Sequence, residues 1–142
     1  MHHKVFPAEL DYLHEMLAFI REHVLAHNIS LLVLDQIILA TEEVLVNIIS
    51  YGYPNEKKGT IEMSCEDSNN PRGIKITIKD EGIPFNPIEN LPSSLPSKST
   101  VMDKTNDSLG GYGIYLFVEL MDAVEYRRVN GCNVLSMTKY LS

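Results

Sequence analysis

Thr60-Ile61-Glu62-Met63-Ser64-Cys65-Glu66, followed by Asp67-Ser68-Asn69-Asn70-Pro71 and then by Ile74-Lys75-Ile76-Thr77-Ile78-Lys79-Asp80, is the stretch that sets the fold. Ile61, Met63 and Cys65 alternate with Glu62, Ser64 and Glu66, the period of a strand with one wet face. The polar segment ending in Pro71 supplies turn chemistry. Beyond it Ile74, Ile76 and Ile78 fall on one face and Lys75, Thr77 and Lys79 on the other. The two runs therefore predict an antiparallel hairpin packed against helices, with Cys65 as a core residue.

On the amino-terminal side, Leu10, Leu13, Leu17, Ile20 and Val24 recur at helical spacing and predict a first amphipathic helix. His14 and His23 lie on it and read as surface residues. Ser30 suits the N-cap of a second helix running to about Tyr51, which Gly52 and Pro54 would stop. On the carboxyl-terminal side, four of the seven prolines and a run of serines fall between Pro84 and Leu109. Neither helix nor ladder pairing persists through such a composition, and a loop of that length inside a small domain suggests a lid. An apolar helix, Ile114 to Met121, and two strands turned at Asn130-Gly131 complete the chain. The order is short strand, two helices, hairpin, lid, helix, hairpin. It predicts an α+β fold, a two-layer sandwich of a mixed, mainly antiparallel sheet with helices on one face. One domain, 1–142, is expected, with 84–110 as the lid.

Composition narrows the function. At 142 residues, 44% hydrophobic and 22% charged, the chain can bury a core and is not a disordered sequence. Twelve basic against nineteen acidic residues leave a net charge of −7, which repels nucleic acid and anionic membranes unless cations cluster. Lys57-Lys58 and Arg127-Arg128 are the only cationic pairs, and each reads as a solvated turn or strand end. The amino terminus lacks a signal-peptide core, and the apolar stretch Leu31 to Ala40 is interrupted by Asp35 and Gln36, so a cytoplasmic protein is expected. Cys65 and Cys132 show no paired-ligand spacing and suit a reducing compartment.

Three local features can carry chemistry. Alternation puts Asp80 on the buried face of its strand, where an unpaired carboxylate is costly and a ligand donor would offset the cost. Gly82 beside it would let a flat group approach the backbone. Read without a ligand, Asp80-Glu81-Gly82 is a strand-ending turn. Glu43 and Asn47, four residues apart, share one face of the second helix. The carboxylate can accept a proton, and the amide oxygen can ligate a hard cation such as Mg²⁺. Without a ligand they are a polar pair at the edge of a core helix, and Glu42 points away into solvent. Gly110, Gly111 and Gly113 precede a helix, where free amides and the positive dipole end suit a phosphate, or else they form a flexible connector.

In this order the features resemble the GHKL nucleotide-binding family, over nearly the whole chain. Glu43-Val44-Leu45-Val46-Asn47 with Gly52-Tyr53 resembles its N box, Asp80-Glu81-Gly82-Ile83-Pro84-Phe85 its aspartate-glycine box, and Gly110-Gly111-Tyr112-Gly113-Ile114 its second glycine box. The phrases Asp-Glu-Gly-Ile-Pro-Phe-Asn-Pro and Gly-Gly-Tyr-Gly-Ile-Tyr-Leu are similar to those of bacterial anti-sigma-factor serine kinases. The resemblance implies ATP and Mg²⁺ as cofactors, Glu43 as general base, Asn47 as magnesium ligand and Asp80 as acceptor of the adenine amino group. It places Gly82 in the same nucleotide site and Gly110, Gly111 and Gly113 at the phosphates. It further implies an anti-anti-sigma protein as phosphorylated partner, a sigma factor as sequestered partner, and a homodimer as one arrangement the family uses.

The chain also departs from that pattern. Tyr51 stands where these kinases often carry a histidine, and Gly131-Cys132 where many carry Gly-Thr. Asn133 or Thr138 could replace the missing polar contact near the adenine. Lys98 and Lys104 are the lid's only cations. A nucleotide-gated binding module without transferase activity is the alternative expectation. A histidine kinase catalytic half is less suited, because a helical phosphoacceptor domain is missing from this sequence.

Overall fold

In a computed structural model of the chain, residues 2–53, 59–69, 71–84 and 117–141 are described. Strand β1 (His2–Pro7) leads through a short 3-10 turn (Leu10–Tyr12) into helices α1 (Leu13–Leu25) and α2 (Leu31–Asn47), the second extended by a π turn (Ile48–Gly52). Strands β2 (Thr60–Ser68) and β3 (Gly73–Asp80) form the expected hairpin, and β4 (Ala123–Val129) and β5 (Cys132–Tyr140) form another. The five strands lie in the order β1-β2-β3-β5-β4, and every described pairing is antiparallel.

The period-two reading holds in detail. Ile61, Met63, Cys65, Ile74, Ile76 and Ile78 are fully buried, and Leu135 and Met137 join them from β5. Met16, Leu17, Ile20 and Val24 of α1, with Leu34, Ile37, Ala40, Val44 and Leu45 of α2, close the same core from one side. Each buried Leu, Ile, Val or Met side chain contributes about 1.5–3 kcal/mol by leaving water, and the shared core fixes the sheet register, since a one-residue slip would turn the isoleucines outward. Leu10 falls in the 3-10 turn and is exposed, while Met16, absent from the predicted stripe, is fully buried.

Local chemistry explains the boundaries. The Ser30 side chain accepts from the Val33 amide at 3.2 Å, the N-cap bond expected of it. Thr41, fully buried in α2, donates its hydroxyl to the Ile37 carbonyl at 2.7 Å, so its burial leaves no orphan group. Asn130 and Gly131 take positive φ values of 50° and 79°, the primed turn that matches strand twist. Of the predicted helix Ile114 to Met121, residues 117–121 are described; 117–120 are helical and Met121 falls in the bend that follows. Their terminal carbonyl at Leu120 accepts from Lys139 Nζ at 2.7 Å, a cation at the negative end of a helix.

Candidate nucleotide site

The sheet register aligns one row of residues across four strands. Ile61 of β2 pairs with Asp80 of β3, Asp80 with Asn133 of β5, and Asn133 with Arg128 of β4. Because directly paired residues share a face, the row continues the buried, helix-covered side of the sheet. Asp80 is 4% exposed and Asn133 is 7% exposed.

Asp80 Oδ1 accepts two hydrogen bonds, from the Gly82 amide at 2.8 Å and from Asn133 Nδ2 at 3.0 Å. Among the described residues no donor meets its other oxygen. Asn133 Nδ2 also donates to the Ile83 carbonyl at 2.8 Å, while its Oδ1 accepts from Tyr126 Oη at 2.6 Å and from Arg128 Nη1 at 3.1 Å. Both amide hydrogens and the amide oxygen are thus committed, which fixes the orientation of the side chain. Burial pushes the Asp80 carboxyl above its ordinary range, against the opposing pull of Asn133, the Gly82 amide and the nearby Arg128 guanidinium.

Gly82 does allow a close approach, but the group that makes it is the protein's own. A Cβ at this position would lie 2.4 Å from the Gly52 carbonyl oxygen and 2.9 Å from Asp80 Oδ1. The Ile83 amide donates to that same carbonyl at 2.9 Å. The end of the α2 extension is thereby clamped to the end of β3. Tyr53 reinforces the clamp: its hydroxyl donates to the Thr60 carbonyl at 2.8 Å and accepts from the Glu81 amide at 2.8 Å.

Helix α2 presents Glu43 and, one turn later, Asn47, both half-buried, just before the π turn that delivers Gly52 to Asp80. π turns occur disproportionately at functional sites. Burial raises the Glu43 carboxyl above its usual range, and the like charge of Glu42 raises it further. Asn47 supplies an amide oxygen, a hard donor that suits Mg²⁺ when phosphates and water complete the shell, and Glu43 a carboxylate that can accept a proton. The structure therefore brings Asp80, Gly82 and the α2 extension together. Gly110, Gly111, Gly113, Lys98, Lys104 and the lid beyond Pro84 lie outside the described residues.

Several participants escaped the sequence reading. Arg128, expected to be a solvated strand end, donates to the Gly82 carbonyl at 2.9 Å as well as to Asn133. The signal was available: counting back from the Asn130-Gly131 turn pairs Val129 with Cys132 and Arg128 with Asn133. Between the two residues offered as substitutes near the adenine, Asn133 contacts Asp80, whereas Thr138 pairs with Lys75 toward the other end of the sheet. Tyr51 is exposed. His23 is a correction: it is buried, its ring against His2, His27 and Asp67.

Known proteins share this fold. The family described as histidine kinase-like ATPase domain matches residues 6–139. Serine/threonine-protein kinase BtrW of Bordetella bronchiseptica is 26% identical over 102 residues, which cover 72% of this chain and 67% of that protein. Serine-protein kinase RsbW of Bacillus subtilis is 28% identical over 110 residues, 77% of this chain and 66% of its own. The chain thus spans about two thirds of the length of these relatives. Among solved structures, the Erythrobacter litoralis EL346 blue-light activated histidine kinase superposes with a TM-score of 0.60 at 13% identity, covering 90% of this chain and 40% of that one.

Proposed function

The chain belongs to the histidine kinase-like ATPase domain family as an ATP-binding kinase domain, and we propose that it is a protein-serine kinase acting as an anti-sigma factor in a partner-switching system. The observation that carries the nucleotide reading is the Asp80 carboxylate, almost fully buried, with one oxygen locked by Gly82 and Asn133 and the other unmet by any described donor. A fixed acceptor of this kind matches the amino group of adenine. The names of the relatives support serine as the phosphorylated residue, and the resemblance of the phrases around Asp80 and Gly110 to anti-sigma kinases supports an anti-anti-sigma protein as its carrier.

In this reading the Glu43 carboxylate takes the proton of the partner's serine hydroxyl as that oxygen bonds to the γ-phosphorus and the bond to the β–γ bridging oxygen breaks, releasing ADP. Its raised pKa favours proton acceptance. Asn47, with phosphate oxygens, would hold Mg²⁺, which when bound neutralises phosphate charge. Asp80 positions the adenine through its acceptor oxygen, Asn133 and Arg128 hold Asp80 and the Gly82 backbone in place, and the glycines at 110, 111 and 113 would hold the phosphates. Phosphoryl transfer requires mostly positioning and charge neutralisation, so this inventory suffices. One domain, a lid over 84–110 and a cytoplasmic location belong to the same proposal. Among the described residues no helix is long and apolar enough to cross a membrane.

The test is labelled ATP with Mg²⁺, the protein, and a small anti-anti-sigma protein from the same genome. Glu43→Gln should keep nucleotide affinity and slow transfer by roughly 10²- to 10⁴-fold. Asn47→Ala should instead weaken magnesium-dependent nucleotide binding. Transfer by Glu43→Gln at the parental rate would remove Glu43 from the base role. ATP binding without transfer to any such partner would leave a nucleotide-gated binding module.

A further inference from the structure

At the end of the sheet far from Asp80, His23, His27 and Asp67 converge. Asp67 lies six residues along β2 from Ile61, the partner of Asp80, so the two places are about 20 Å apart by strand rise. His23 sits in the last turn of α1 and His27 two residues beyond that helix. His23 Nε2 and His27 Nε2 each lie 2.9 Å from the same oxygen, Asp67 Oδ1.

The remaining ring nitrogens are already engaged. His27 Nδ1 lies 3.1 Å from the His23 carbonyl oxygen, which can only accept, so this nitrogen carries the proton. His27 Nε2 is thereby left facing the Asp67 carboxylate oxygen, in position to share a cation with it. His23 Nδ1 lies 2.9 Å from His2 Nδ1, which accounts for its other nitrogen in turn. Histidines with Nδ1 fixed by a carbonyl or a neighbouring group and Nε2 directed at a common point have the second-shell arrangement of metal ligands.

We propose that His23 Nε2, His27 Nε2 and an Asp67 carboxylate oxygen bind one zinc ion, with solvent as the fourth ligand and His2 as the outer partner of His23. The three ligand atoms lie within 4.8 Å of one another. Bonds of about 2.0–2.1 Å in a tetrahedral shell need ligand atoms roughly 3.4 Å apart, so side-chain rotations that open each 2.9 Å nitrogen–oxygen contact by about 0.5 Å and bring the two nitrogens from at most 4.8 Å to that spacing admit the ion. Two imidazoles and a carboxylate select zinc over magnesium or calcium, which prefer oxygen shells. The negative end of the α1 dipole lies at the same place and adds to the attraction. Asp67 is 54% exposed at its side chain, against 8% for His23 and 14% for His27, so the ion has an entry path to otherwise buried ligands. Bound there, it ties the α1 terminus to β2.

The test is calorimetric titration of the full chain, stripped with chelator and free of nucleotide, with Zn²⁺, alongside Co²⁺ absorption. The parent should take up one equivalent and give the intense visible bands of tetrahedral cobalt. His27→Ala and Asp67→Asn should each weaken binding at least about 100-fold while keeping the parental circular dichroism, and His2→Ala should weaken it about 10- to 100-fold. His3→Ala should leave it unchanged, because His3 pairs with Ser64 on the opposite face of the sheet. Absence of saturable binding in the parent would overturn the proposal. Parental affinity in His27→Ala or Asp67→Asn would overturn it too, as would loss on His3→Ala alone. Should the variants fail to fold, octahedral rather than tetrahedral cobalt bands in the parent would be equally decisive against it.

Discussion

Replacing Gly82 by Ala separates a glycine kept for the protein's own backbone from one kept only for a ligand. The added Cβ would stand 2.4 Å from the Gly52 carbonyl oxygen, 2.9 Å from the Gly52 carbonyl carbon and 2.9 Å from Asp80 Oδ1. Two of these atoms are backbone, so relief requires β3 and the α2 extension to part. Overpacking of this sort costs about 1–3 kcal/mol. Separation also weakens the bond from the Ile83 amide to Gly52, a further 0.5–1.5 kcal/mol or so. A loss of roughly 2–4 kcal/mol should lower the melting temperature of a chain this size by roughly 8–15 °C. Two controls calibrate it. Gly52→Ala meets nothing nearer than Ile48 Cγ2 at 3.5 Å and should change stability by less than about 0.5 kcal/mol. Gly131→Ala has open space but a φ of +79°, and should cost about 1–2 kcal/mol. Thermal and urea melts of the nucleotide-free proteins measure all three. If Gly82→Ala melts with the parent, the clamp between Gly52 and Gly82 does not hold the fold, and the glycine serves a ligand alone.

Asp80→Asn should abolish most ATP affinity while leaving the nucleotide-free protein folded. A carboxyl whose pKa is raised by burial contributes stability that is lost as pH rises through the raised value, so the variant's melting temperature should gain on the parent's between pH 4 and pH 7; a constant difference would refute the buried-charge account. If Glu43 is the base, transfer should fall as pH drops through its raised pKa, and Glu42→Gln, by removing a like charge, should move that acid limb to lower pH; an unmoved limb in a pH–rate profile would count against the assignment. The Cys65 thiol, fully buried and pushed up to about 12 first by burial and then by Asp67, should resist Ellman's reagent in the native protein at pH 8 and react on unfolding, whereas rapid native modification would contradict its place in the core.

Legibility in the sequence followed the range of the interaction. The hairpin β2–β3, the Ser30 cap and the Asn130-Gly131 turn are local, and residues a few positions apart announce them. The inward face of Asp80 was legible for the same reason, by alternation from Ile74. Its partners were not, because Asn133 and Arg128 reach it only through the β3–β5 pairing, which a sequence read segment by segment does not reveal. Gly82 was legible as a point of close approach, but the approaching group, Gly52, lies thirty residues away and emerges from a π turn that helical periodicity cannot anticipate. His23 was misread because its ring packs against His2 and Asp67, neither of them on its own helix.

The pairing of β3 with β5 has a consequence for the order of folding. Each hairpin closes across a turn of a few residues, whereas Asp80 and Asn133 meet across 53 positions of chain. Closing a loop of that length costs roughly 3–4 kcal/mol of chain entropy beyond the constant part. The two hairpins can therefore nucleate early and separately, and their union is the slow, non-local event. The row from Ile61 to Arg128 exists only after that event, since neither hairpin alone holds both Asp80 and Asn133. A chain halted before union would carry two well-formed ribbons with an exposed edge each and no ordered Asp80 acceptor, so recovery of nucleotide binding should trail recovery of strand content during refolding.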